Sequence, residues 1–92
     1  MYTNTAPLKR MPYAQAKVLT TDTGEKFLIS YSTLVVEIDK DGWATVRGLY
    51  SRTTIKHISA FAHEINTDYQ TLKSCYLRNL RYNIFTKKFS SV

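Results

Sequence analysis

The 92 residues, 43% hydrophobic with seven Tyr, four Phe and one Trp, suffice for one modest core, not two, and exclude a disordered chain. The single cysteine, Cys75, excludes an internal disulfide framework and a multi-cysteine zinc site, and no stretch has the apolar run of a signal peptide or transmembrane helix. A soluble cytoplasmic protein, complete as written, is therefore expected, and its net charge of +6 favours polyanionic or acidic partners.

Residues 1–13 carry both prolines, Pro7 and Pro12, beside Lys9 and Arg10, without a sustained hydrophobic period. That predicts a flexible or loosely docked arm ahead of a single α+β domain over 14–92. From Ala14 the pattern turns strand-like: Ala14, Ala16 and Val18 alternate with Gln15, Lys17 and Leu19, and Thr21-Asp22-Thr23-Gly24-Glu25 supplies a turn. Phe27, Ile29 and Tyr31 alternate in a second strand, and the β-branched run from Leu34 to Asp39 makes a third. Ser32-Thr33 is either a bend between these two strands or a bulge in one long strand. Asp39-Lys40-Asp41-Gly42 is a turn with the favoured Asp-Gly pair, and Trp43 to Tyr50 carries the returning strand, with Gly48 a candidate bulge.

At Ser51 the period lengthens from two to between three and four. Ser51 is placed to cap a helix whose stripe is Ile55, Ile58, Phe61, Ala62 and Ile65. Thr67 as N-cap, with Asp68 in the first turn, starts a second helix traced by Tyr69, Leu72, Tyr76 and Leu80. Residues 81–89 fit a helical extension, a last strand or a basic aromatic arm. The fold class read from this order is α+β: a small, mainly antiparallel sheet of three to five strands followed by two helices.

Residues 66–92 hold five cations against the single carboxylate of Asp68. Lys73, Arg78, Arg81, Lys87 and Lys88 could meet phosphates while Tyr76, Tyr82, Phe85 and Phe89 offer stacking surfaces; the same aromatics could equally pack a helix on the sheet. The candidate partner-binding set is Lys73, Tyr76, Arg78, Arg81, Tyr82, Lys87 and Lys88. A secondary set, Ser51, Arg52, Thr54 and His57, lies at the strand-to-helix junction, where hydroxyls and imidazole could serve an anion or act only as capping groups. A nucleophile built on Ser51 or Thr54 with His57 lacks an evident orienting group. His57 and His63 are six apart and share no metal-binding face, so no metal, cofactor or catalytic residue is expected. Glu37 and Asp39 project from one face of a strand but belong beside a turn, and Cys75 reads as a buried small residue.

The segments Tyr31-Ser32-Thr33-Leu34-Val35-Val36-Glu37-Ile38-Asp39-Lys40-Asp41-Gly42 and Gly48-Leu49-Tyr50-Ser51-Arg52-Thr53-Thr54-Ile55-Lys56-His57-Ile58-Ser59-Ala60-Phe61 resemble small uncharacterised proteins carried by bacteriophages and other mobile elements. The resemblance implies a phage accessory protein, commonly a binder or an inhibitor of host defence. Two non-enzymatic readings follow. One is a binder of nucleic acid through the basic C-terminal region; the other is an anti-CRISPR-like inhibitor gripping an acidic surface of a host defence or nucleic-acid-processing protein. An exposed edge strand or tyrosine-rich helix is also compatible with a homodimer.

Overall fold

The computed structural model describes residues 2–91, and their side chains from Asn4 onward. Five strands come first: β1 (Tyr2–Pro7), β2 (Ala16–Thr21), β3 (Lys26–Ser30), β4 (Thr33–Ile38) and β5 (Trp43–Val46). Helices α1 (Arg52–Glu64) and α2 (Tyr69–Arg78) follow, and β6 (Leu80–Asn83) and β7 (Lys88–Ser91) close the chain. The strands make one seven-stranded antiparallel sheet in sequence order, with both helices inserted between β5 and β6. The expectation of three to five strands followed by two helices is corrected here: one strand lies in the presumed arm and two more come after the helices.

Each addition has a local cause. Ala6 pairs with Val18 and Thr5 with Leu19, so residues 2–7 form an edge strand rather than a flexible arm; Met1 lies outside the described residues. Pro7 is tolerated because it ends that edge strand, where no ladder hydrogen bond is lost. Leu8 then turns inward and is fully buried. At the other end Asn79 takes the left-handed conformation (φ 57°) that closes α2, and the chain leaves directly as β6, with Ala44 opposite Tyr82. Asn83 ties the last two turns together. Its Nδ2 donates to the Asp41 carbonyl, and its Oδ1 accepts from the amides of Phe85 and Thr86.

Strict alternation sends Val18, Leu28, Val36, Ile38, Ala44, Val46 and Tyr82 to the face under the helices. Val35 is the unpaired residue of a bulge, since Leu28 pairs with Val36 and Ile29 with Leu34, so two consecutive valines enter the core. Tyr31 (φ 57°) makes the bend between β3 and β4. The last strand before the helices stops at Val46, four residues earlier than the alternation predicts, and Arg47 instead donates its amide to Val35. From α1 the core receives Ile58, Phe61 and Ala62, and from α2 Leu72 and Cys75. Ile55 is only half-buried, because Thr54 and His57 take the inward positions of the first turns. Asp68, not Thr67, caps α2. Its Oδ1 accepts the Thr71 amide at 2.8 Å, while the Thr67 amide donates to the Ala62 carbonyl where α1 ends.

Candidate functional site

Because neighbouring strands run oppositely, the connections alternate between the two ends of the sheet. The connections 8–15, 31–32, 47–51 and Asn79 join elements at one end, the first of them folding back along α1 so that the Lys9 amide reaches Glu64, and 22–25, 39–42, 65–68 and 84–87 lie at the other, where Lys87 Nζ donates to the Asn66 carbonyl. The first group contains no Asp or Glu, while the second holds Asp22, Glu25, Asp39, Asp41 and Asp68, five of the seven carboxylates. The remaining two are engaged: Glu37 pairs with Arg47 at 2.8 Å, and Glu64 accepts the Lys9 amide. The molecule is therefore electrically lopsided along its strands.

Three tyrosines stand at the carboxylate-free end, with Tyr13 98%, Tyr31 56% and Tyr50 65% exposed. Their neighbourhood is fixed by bonds: the Tyr31 amide donates to the Gln15 carbonyl at 2.7 Å, and Tyr50 immediately precedes the α1 cap. Tyr31 and Tyr50 both have positive φ, 57° and 48°, a conformation uncommon for a bulky residue. The Tyr50 ring folds back over Gly48, where an added Cβ would come within 2.7 Å of its Cζ. This ring is thus both exposed and positioned. Arg52 on the first turn of α1 is exposed, and Arg10 and Lys56 flank an open cleft of about 320 Å³ beside the same helix.

Beneath Tyr31 a line of hydroxyls runs inward from Ser51 at the surface and ends on buried imidazole. Ser51 Oγ is 3.2 Å from Thr54 Oγ1, Thr54 Oγ1 3.4 Å from Ser30 Oγ, and Ser30 Oγ 2.8 Å from His57 Nδ1. Ser51 also accepts the Thr54 amide, the expected cap. The Tyr31 and His57 ring centroids are 5.9 Å apart. Burial pushes the His57 pKa below its usual value, keeping the ring neutral. With Ser30 2% and His57 1% exposed, the pair is closed to a substrate and works as packing that holds the helix start on β3. Of the secondary set, Ser51 and Arg52 are on the surface; Thr54 and His57 are inside.

The primary set is scattered. Lys73, Tyr76 and Arg78 belong to α2, whereas β6 turns Tyr82 into the core and Arg81 to the opposite face of the sheet, its guanidinium 4.6 Å from the Trp43 ring centroid. Tyr82, packed against Phe89 at 5.1 Å and 7% exposed, has no face free for a base. Lys87 reaches Asn66, and Lys88 lies on edge strand β7. The pleat separates residues that are adjacent in sequence, so these seven side chains make no single surface. Tyr13, Tyr31 and Tyr50 escaped notice because they are dispersed in sequence and brought to one end only by the strand connections, and Arg10 and Lys56 because only the fold sets them on either side of one cleft. Among the described residues no cluster of three or more metal-ligating side chains occurs, and no helix is long and apolar enough to cross a membrane.

Comparison with known proteins adds one relation. The model of a family of unknown function, DUF8033, matches residues 2–82. No curated protein and no solved structure matches the chain.

Proposed function

The chain belongs to the DUF8033 family, whose function is unknown, and we propose from its geometry that it is a non-enzymatic module that binds single-stranded nucleic acid at its carboxylate-free end. The observation that carries this reading is the presence there of three exposed tyrosines, two of them at positive φ, with Arg52 on the first turn of α1, Arg10 and Lys56 beside a cleft along the same helix, and no carboxylate in the connections of that end. Tyrosine rings present π-faces on which bases of any sequence can stack, and the cations meet the phosphates between them. A ring already held in place loses little entropy on binding. The buried free thiol of Cys75 suits a cytoplasmic setting, and phage origin remains part of the proposal on the resemblance of residues 31–61.

The test is fluorescence anisotropy of a labelled oligothymidylate, an oligouridylate and a DNA duplex against the intact protein. Neutralising about three phosphates should weaken single-strand affinity roughly 20-fold between about 50 and 200 mM salt. The triple variant Arg10→Gln, Arg52→Gln, Lys56→Gln should bind weakly at low salt and lose most of that salt slope. Tyr31→Ala with Tyr50→Ala should weaken single-strand binding and keep the slope. Absence of binding at low salt, or binding that neither set of variants alters, refutes the reading, and capture of an acidic host protein by the same end would then favour the inhibitor reading.

A further inference from the structure

The opposite face of the sheet carries no helix, and its composition differs sharply from the tyrosine end. Pairing aligns Thr5, Leu19, Phe27, Glu37 and Thr45 in one row across five strands, and Trp43 stands two residues from Thr45 on the same face. Near the acidic turns this face contains a pocket lined by Phe27, Trp43 and Thr45 together with Glu25, Glu37 and Asp39. All six are half-buried. Its volume, about 180 Å³, is below the roughly 300–1,000 Å³ of small-molecule sites, so it is sized for one side chain rather than a cofactor.

Two independent features select the charge of that side chain. Aromatic faces attract cations through their quadrupoles, and Trp43 already holds the Arg81 guanidinium at 4.6 Å. The carboxylates are positioned by local bonds: Asp39 Oδ1 accepts from the amides of Asp41 and Trp43, Glu25 Oε1 from the Thr23 hydroxyl, and Glu37 Oε1 from Arg47. We infer that this helix-free face is a second binding surface, which receives a Lys- or Arg-bearing peptide segment of a partner protein, with the cationic side chain in the Phe27–Trp43 pocket. A nucleic acid is disfavoured there by Glu25 and Asp39, Glu37 being paired with Arg47, so the two surfaces would serve partners of opposite charge and could be occupied together.

Trp43 is the only tryptophan, so intrinsic fluorescence reads the pocket directly. The probe is an end-capped peptide of alternating arginine and glycine, titrated into the full chain, with its citrulline counterpart as the uncharged control. Since the protein carries a net +6, general electrostatics oppose the arginine peptide, and saturable binding must come from a local site. The arginine peptide should change Trp43 emission saturably, and the citrulline peptide should not. The variant Glu25→Gln, Glu37→Gln should weaken binding roughly fivefold, with circular dichroism verifying its fold, whereas Arg52→Gln, Lys56→Gln should leave it unchanged. Equal binding of the citrulline peptide, or an unaltered affinity in the folded carboxylate variant, overturns the inference. So does the same Trp43 response to oligothymidylate, or to concentration alone, which would seat a nucleic acid or a second copy of the chain on this face.

Discussion

His57 illustrates how a polar residue enters a core when a partner waits for it. Its neutral ring shares the 2.8 Å hydrogen bond with Ser30, and Thr54 and the Tyr31 ring complete its surroundings. Charging the ring would force Nδ1 to donate and place a cation in a desolvated site. Because burial lowers the folded pKa below 6.5, the unfolded chain takes up a proton before the native one as pH falls. Stability from this residue is therefore complete above about 6.5 and declines below it until the folded pKa is reached. Urea melts across that window should show the decline, and His57→Gln should flatten it; a flat wild-type profile would contradict the buried neutral ring. Cys75 makes the matching case for a nucleophile. Burial raises its thiol to about 11 and it is 2% exposed, so a maleimide or disulfide reagent should modify the native protein only as fast as it opens. Prompt labelling of the folded state would be incompatible with this packing.

At the level of elements, the first strand and the last hairpin decide how the sheet is completed. Leu8 follows β1 directly and is fully enclosed, whereas Tyr13, five residues later, is 98% exposed. Leu8→Ala should thus cost about 3 kcal/mol in chemical denaturation, while Tyr13→Ala should stay within about 0.5 kcal/mol. Equal, small effects would restore the flexible arm. The start of α2 is set by which side-chain oxygen reaches a free amide: either Thr67 or Asp68 has the chemistry of a cap, and it is the Asp68 carboxylate that accepts from Thr71. Asparagine at φ 60° (Asn66) and 57° (Asn79) follows the two helices, where its tolerance of left-handed backbone is useful. Tyr31 and Tyr50 have no such advantage, which makes their conformations informative about the surface they build.

On the scale of the whole molecule, removal of residues 80–92 tests whether the basic tail is an appendage. β6 pairs with β5 and contributes Tyr82 to the core, so the truncated chain should lose its cooperative thermal transition by circular dichroism; a folded remnant would reinstate the arm. Much of the middle of the fold was legible in the residues themselves. The Asp-Gly turn at 41–42, the alternation of Phe27 and Ile29 and the helical stripe from Ile58 to Ile65 are local signals of backbone geometry and burial, and each survives in the structure. The outer strands were not decided by the residues alone, the last one standing as one of three alternatives for 81–89, because Tyr2 to Pro7 and Leu80 to Asn83 are too short and mixed to declare a strand until a neighbour offers a ladder to pair with. Nor was the location of the site. Charge excess, tyrosine content, the cap at Ser51 and one free thiol were determined by sequence alone. The gathering of Tyr13, Tyr31 and Tyr50 at the end free of carboxylates, the dispersal of Arg81 and Tyr82 to opposite faces, and the burial of His57 were decided only by tertiary structure, since an antiparallel sheet brings distant connections to a common end and its pleat parts consecutive side chains.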